Sequence, residues 1–580
     1  MSSPHKPRRK PKKQLGAEGA ASSATPNFPL EAFLWPARGF VSQWEILPLI
    51  LMAVGLFRWA AGLWGYSGFQ NPPMHGDYEA QRHWMEITIG LPISQWYFHD
   101  LEWWGLDYPP LTAYHSWLLG KIGSLIDPAW FALRSSRGIE DPALKVFMRA
   151  TVIVSEYFIY IPAAVIFVRR FTRLQGINHW HAWIALTAIL MQPGTILIDH
   201  VHFQYNTVML GFVLACMSSI QAGRYMWCSV FFVMALGFKQ MALYYAPAIF
   251  AFLLGVCIFP RINLARFLGI ATVTAVSFAV LILPLYLGAL YDSYRGIDAR
   301  PELFGHKAPL PLFTEHSFRL DHNAWYYPIL QQTAQLIHRV FPFARGLFED
   351  KVANFWCTLN ILIKLRKYPS ELLQRASLLL TLTAITPPCF VIFVKPKKEL
   401  LPLALATTAW AFFLFSFQVH EKSVLLPLMP MTMLLTGKNG LSDNIRSWVG
   451  FANLLGVWTM FPLLQRVDLR IPYYVLSLLW AYLLGLPPTS FAAYKTGWST
   501  WTGCAMSTMH LLFYAFMAVW HVVEATLSPP ATKPDLWVVA NVGVGSIGFG
   551  ICYLWCLWTL VAESKLLSFL GTQPKKAKSL

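Results

Sequence analysis

Residues 47–66 read LPLILMAVGLFRWAAGLWGY, and the chain then turns polar and aromatic at His75-Gly76-Asp77-Tyr78-Glu79-Ala80-Gln81-Arg82-His83-Trp84. About 20 mostly apolar residues reach across a hydrocarbon core about 30 Å thick. The polar stretch beyond that span holds Asp77, Glu79, Glu86, Asp100, Glu102 and Asp107, six of the chain's 29 acidic residues. A protein poor in acids that gathers them beside its first span marks that stretch as its candidate functional centre.

Further apolar runs lie near 146–168, 181–198, 206–222, 267–290, 350–365, 447–464, 471–487, 504–524 and 537–561. The run 225–259 is too long for one crossing and is expected as two short helices broken at Phe238-Lys239-Gln240. With 56% hydrophobic and 13% charged residues, against about 25% charged in a soluble domain, the fold class is an all-α polytopic membrane protein of about 14 crossings. The net charge of +17 does not indicate nucleic acid, since Lys and Arg cluster at span ends as the positive-inside rule expects. The eight cysteines lie in or beside apolar runs and form neither a zinc set nor a disulfide framework.

The chain divides into three regions: a basic tail at 1–45, a membrane module at 46–436 with polar loops 67–145 and 291–349, and further helices at 437–580. The tail, with His5-Lys6-Pro7-Arg8-Arg9-Lys10, is expected in the cytosol, which puts the acidic stretch on the far side. Lys364, Arg366 and Lys367 are expected on the cytosolic side, and Pro387-Pro388 is expected to make the run 375–398 a broken helix or a re-entrant hairpin. Lys576 and Lys578, third and fifth from the end, resemble a retrieval signal read in the cytosol. Both termini cytosolic requires an even number of crossings.

Within the acidic stretch, Ala80, Trp84 and Ile87 fall on one side of a helix and Glu79, Arg82, His83 and Glu86 on the other, the pattern of a helix lying in the membrane interface. Asp77 can cap that helix, and Asp107 precedes Tyr108-Pro109-Pro110 as a turn residue. Both also suit proton removal from a hydroxyl, while Arg345, His420 and Lys422, at span ends, suit stabilisation of a leaving anion. Asp77-x-Glu79 and His200-x-His202 are weak patterns for a divalent metal. A flippase or transporter would explain the spans, but its acids would line a path through the membrane rather than one loop.

The stretches Gly76-Asp77-Tyr78-Glu79-Ala80-Gln81-Arg82-His83-Trp84-Met85-Glu86-Ile87-Thr88 and Trp104-Gly105-Leu106-Asp107-Tyr108-Pro109-Pro110 resemble the endoplasmic-reticulum glucosyltransferases of asparagine-linked glycosylation. So do Asp199-His200-Val201-His202-Phe203-Gln204-Tyr205-Asn206, the stretch 341–356 and the stretch 415–427, which includes His420-Glu421-Lys422. The resemblance covers about residues 70–430. It implies a C-type glycosyltransferase fold, a dolichyl phosphate glucose donor, a dolichyl-pyrophosphate-linked high-mannose acceptor and an inverting transfer. It also implies Asp77 as general base, Asp107 as a second acid orienting the acceptor, and His420 near the donor phosphate. Glu79, Arg82, His83, His200, His202, Gln204, Arg345 and Lys422 complete the expected substrate-binding set, with no metal or other cofactor. Within the family, the context of Asp77 favours members that add the first glucose over those that add the second.

Overall fold

The computed structural model describes residues 25–38, 43–315, 320–341 and 351–566. Nine helices among these residues are long and apolar enough to cross a bilayer, and Asn206–Gln221 and Tyr225–Phe238 are shorter apolar helices. A backbone that spans lipid must satisfy its own polar groups, which leaves a helical chain few alternatives. The one sheet among the described residues is a ribbon pairing Glu302–Leu303 with His306–Lys307. This is a multi-pass membrane protein.

The helices run back and forth between two ends, here distinguished by Asp77. At the Asp77 end, Arg149 donates to the carbonyls of His200 and Val201, and Trp356 and Ser377 both donate to the carbonyl of Phe415. At the opposite end, Lys398 Nζ donates to the carbonyl of Gln221 at 2.9 Å. Helices His179–Phe203 and Lys398–Phe415 lie in the middle of the bundle, whereas Leu264–Tyr294 buries few of its residues and lies at the edge of the bundle.

Two expectations about the chain's path are corrected. Ser370–Val394 is one continuous helix through Pro387-Pro388, neither broken nor a re-entrant hairpin. Pro388 has no N–H for the carbonyl of Ala384, and the Tyr553 hydroxyl from helix Leu536–Ser564 donates to that carbonyl instead at 2.9 Å. A neighbouring helix has repaired the break, so the turn persists. The run 350–365, in turn, forms only the eight-residue helix Phe355–Leu362, roughly 12 Å long at 1.5 Å per residue. It cannot cross. Leu365 packs with Trp356 and Leu373, so Lys364, Arg366 and Lys367 sit at the Asp77 end. The two corrections cancel in the parity of the path.

The helix Asp77–Gly90 is also not an interfacial helix. Its expected polar side is buried along with its apolar one, from Tyr78 to Thr88. Arg82, fully buried, reaches Glu79 and Glu86 at 2.7 Å each and Ser136 Oγ at 2.7 Å. His83 Nδ1 lies 3.1 Å from Glu86, whose second oxygen accepts from the backbone of Arg134 at 2.7 Å. Burial would raise the Glu86 pKa, but the hydrogen bond with His83 and the charge of Arg82 bring it down to about 2. Charges at this spacing resemble a wet face in sequence. Here they bolt the helix to the segment 130–136.

Candidate active site

A cavity of about 510 Å³ opens at the Asp77 end. Asp77 reaches it through a close backbone contact. A Cβ on Gly76 would lie 2.7 Å from the backbone of Ser67, so only glycine allows the helix to start there. Gly76, not Asp77, is the N-cap. The Asp77 backbone N–H donates to Ser67 Oγ at 3.3 Å, and its carboxylate is free to point at the cavity rather than back at its own helix.

That carboxylate is held from two sides. Lys422 forms an ion pair with Oδ2, and Gln204 Nε2 donates to the same oxygen at 2.5 Å. His202 Nδ1 lies 3.4 Å away. Burial pushes Asp77 towards its neutral form, but the charge of Lys422 and the hydrogen bonds from Lys422 and Gln204 outweigh it and hold the carboxyl well below the usual carboxylate range. Gln204 and His202 owe their aim to a π-helical turn, Ile196–Phe203, that ends with Phe203 at φ +90°. Such turns collect at functional sites because they redirect side chains inside a helix.

Behind Gln204 stands Lys239, at the break between Tyr225–Phe238 and Gln240–Tyr245. Its Nζ donates to Gln204 Oε1 at 2.8 Å and to Asn206 Oδ1 at 2.7 Å, and lies 4.7 Å from the ring centre of Tyr108. An anion on one side and a cation on the other fix which way the Gln204 amide points. Asp107 lines the cavity from the turn 104–108. Arg339 pins that turn through the carbonyls of Leu106 and Gly105 at 3.1 and 2.9 Å, and Trp84 Nε1 donates to the Trp104 carbonyl at 2.9 Å. Trp104 sits at φ +47°, a conformation that needs such support in a bulky residue. His420 lines the cavity as well, with Nδ1 3.1 Å from Glu421.

The structure therefore brings Asp77, Asp107, Gln204, His420 and Lys422 to one cavity. His202 touches Asp77 from behind. Glu79, Arg82 and His83 belong to the buried network that braces helix Asp77–Gly90 and do not line the cavity. His200 is also elsewhere: its Nε2 lies 2.5 Å from Glu156, which pairs with Arg58 at 2.7 Å. Arg345 lies outside the described residues, as do Lys576 and Lys578. Lys239 and Arg339 are additions that the sequence reading does not make. For Lys239 the signal exists: an ionisable residue inside the apolar run 225–259 belongs to a functional site by default. Arg339 sits in an ordinary amphipathic helix and carries no such mark.

Chemically, the cavity pairs an ionised carboxylate with three cationic side chains, Lys239, Arg339 and Lys422. That arrangement suits removal of a proton next to a developing anion. Among the described residues no group of three or more His, Cys, Asp or Glu side chains is placed to hold a metal ion.

The model of the ALG6, ALG8 glycosyltransferase family matches residues 49–295 and 316–558. A protein of Schizosaccharomyces pombe named probable dolichyl pyrophosphate Man9GlcNAc2 alpha-1,3-glucosyltransferase is 40% identical over 93% of this chain and 96% of its own. The Saccharomyces cerevisiae dolichyl pyrophosphate Man9GlcNAc2 alpha-1,3-glucosyltransferase is 39% identical over 92% of this chain and 94% of its own. The Gallus gallus protein of the same name is 34% identical over 88% and 95%.

Proposed function

The chain belongs to the ALG6, ALG8 glycosyltransferase family, and from that premise we propose that it moves glucose from dolichyl phosphate glucose to a mannose 3-hydroxyl of dolichyl-pyrophosphate-linked Man9GlcNAc2. The relatives are named for alpha-1,3-glucosyl transfer with that acceptor. Man9GlcNAc2 carries no glucose, so the transfer is the first one. The sister activity, addition of a second glucose, is not what these relatives are named for. The observation that carries the reading is the Asp77–Lys422 pair inside a cavity that also holds Asp107, Lys239 and Arg339.

The reaction is a single displacement. An Asp77 carboxylate oxygen takes the proton of the mannose 3-hydroxyl while the hydroxyl oxygen bonds to glucose C1, and the bond from C1 to the phosphate oxygen breaks with inversion. Lys422 has two partners in turn. In the empty site it neutralises Asp77, which makes the carboxylate a poor base. With donor phosphate present the same ammonium is drawn to a stronger anion, and Asp77 gains basicity when the nucleophile arrives. Arg339 and Lys239 add positive charge for the leaving phosphate, His420 contacts it too, and Asp107 orients the acceptor. Charge from these side chains takes the place of a divalent ion.

The cavity lies at the lumenal end of a C-type glycosyltransferase fold in the endoplasmic-reticulum membrane. Supporting this are the nine long helices and the two shorter apolar ones; counting helices Leu425–Thr432, Asp443–Thr459 and Arg470–Leu483 as crossings too, we propose fourteen traverses. The first of those three is lengthened at both ends by the helical turns Glu421–Val424 and Met433–Thr436. An even number ends helix Leu536–Ser564 on the side from which the first span sets out. The deciding experiment is Asp77→Asn in purified enzyme with both lipid substrates. The variant is expected to fold and bind donor but to transfer glucose at least about 100-fold more slowly. Near-normal turnover would sink the assignment.

A further inference from the structure

A second polar cavity, of about 320 Å³, lies at the Asp77 end between helix Leu264–Tyr294, the ribbon at 302–307 and helix Tyr327–Val340. Its floor is unfinished. Ser94 and Gln332 both line it and are 2% and 3% exposed. Gln332 Nε2 donates to the Ser94 carbonyl, yet Gln332 Oε1 and Ser94 Oγ have no hydrogen-bond partner. Each orphaned group costs about 1–3 kcal/mol unless something enters to meet it. The rim carries Asp298 and Lys307, 2.8 Å apart and half-exposed.

The lining mixes donors and acceptors. It offers the Asp298 carboxylate and the Gln332 amide oxygen as acceptors, Lys307, Arg300 and the Ser94 hydroxyl as donors, and the His322 ring, which can do either; Lys307 is already held by Asp298 and Arg300 Nε by the Ala308 carbonyl. An anion would meet Asp298, and an apolar group would leave the floor unsatisfied. A neutral polyol, whose hydroxyls both donate and accept, meets every one of these groups. The volume is at the small end of the range for ligand pockets. Trp325 and Tyr326, immediately before the lining residue Tyr327, are exposed aromatic faces of the kind that sugar C–H faces stack on.

The position ties this cavity to the first. Gln332 and Arg339 are seven residues apart on one helix, which puts them on the same stripe and roughly 10 Å apart along its axis. Between them Gln335 donates to the Tyr97 carbonyl, so one helix face carries the floor of the second cavity and the wall of the first. An acceptor with nine mannoses does not fit into 510 Å³. Its remaining arms must rest outside the catalytic cavity.

We infer that the cavity floored by Ser94 and Gln332 is a subsite for a mannose on an arm of the acceptor other than the one that receives glucose. This rests on the glucose-transfer reading. The test compares dolichyl-pyrophosphate-linked Man9GlcNAc2 with an acceptor trimmed to the glucose-receiving arm, using wild-type enzyme, Gln331→Ala, which removes a half-buried amide from the lining, and Ser293→Trp. Ser293 is an exposed residue on the rim, so tryptophan there fills the cavity without entering the core. Both variants are expected to raise KM for the full acceptor about tenfold, with kcat for both acceptors and KM for the trimmed one unchanged. If the variants treat the full acceptor as wild type does, or lose both acceptors alike, the subsite is overturned while glucose transfer stands. If wild-type enzyme glucosylates neither acceptor, the glucose-transfer reading is overturned and the subsite with it.

Discussion

Replacing Lys422 by Met keeps a long stem beside Asp77 and removes the charge that pairs with it. Two unit charges about 4 Å apart at an effective dielectric constant of about 20 attract by about 4 kcal/mol, which is about three pKa units at 1.36 kcal/mol each. Gln204 still donates to the carboxylate at 2.5 Å, and a hydrogen bond to a charged group retains about 1.5–3 kcal/mol. Burial, which already pushes Asp77 upward, then acts with less opposition. The carboxyl is expected to climb by about three units from below the carboxylate range. The sign follows from the role: a base works deprotonated, so its activity is lost as pH falls through its pKa. Wild-type kcat/KM should stay level as pH drops through 5, whereas Lys422→Met should show an acid limb displaced upward by about three units. The assay is kcat/KM for glucose transfer against pH in detergent, with Asp77→Asn as the low, level control. Lower overall turnover in Lys422→Met is expected from the lost phosphate contact and is not diagnostic. An acid limb that does not move would refute the coupling between Lys422 and Asp77.

Arg82→Met leaves Glu79 and Glu86 buried without their cation and should cost about 3–5 kcal/mol, read as a lower thermal midpoint in detergent; an unchanged midpoint would show that the network is not structural. Glu86, held at about 2, contributes stability that is fully present above its unfolded value of about 4.3 and is lost as pH falls towards 2, so a stability titration of wild type should decline over that window. Tyr553→Phe removes the donor to the Ala384 carbonyl and should destabilise by about 1–3 kcal/mol with KM for either substrate unchanged, measured by thermal unfolding alongside kinetics. Glucose transfer should survive EDTA; loss on chelation with recovery on Mn²⁺ or Mg²⁺ would return Asp77-x-Glu79 to consideration as a metal site.

Much of the architecture is legible in the sequence because lipid leaves little choice: an apolar run of sufficient length must be a helix. The break at Lys239 is visible for the same reason. The path between 350 and 398 is misread when local charge and proline are weighed above length. Phe355–Leu362 is too short to cross whatever cations come after it, and Ser370–Val394 survives its prolines because a distant tyrosine repairs the turn.

The amphipathic period of the Asp77–Gly90 helix is equally readable, and its meaning is not. Period reports which residues share a side; it does not report what that side faces. By itself the sequence determined a multi-pass helical protein, the stretch that holds Asp77 and the family it resembles, since these depend on composition and on short contiguous motifs. Tertiary structure decided that Glu79, Arg82 and His83 brace the helix, that His200 pairs with Glu156, and that Lys239 and Arg339 join the cavity. It also decided that Asp77 meets a lysine 345 positions away. Burial and pairing at that separation are properties of how the helices pack, and packing is set by the whole chain at once.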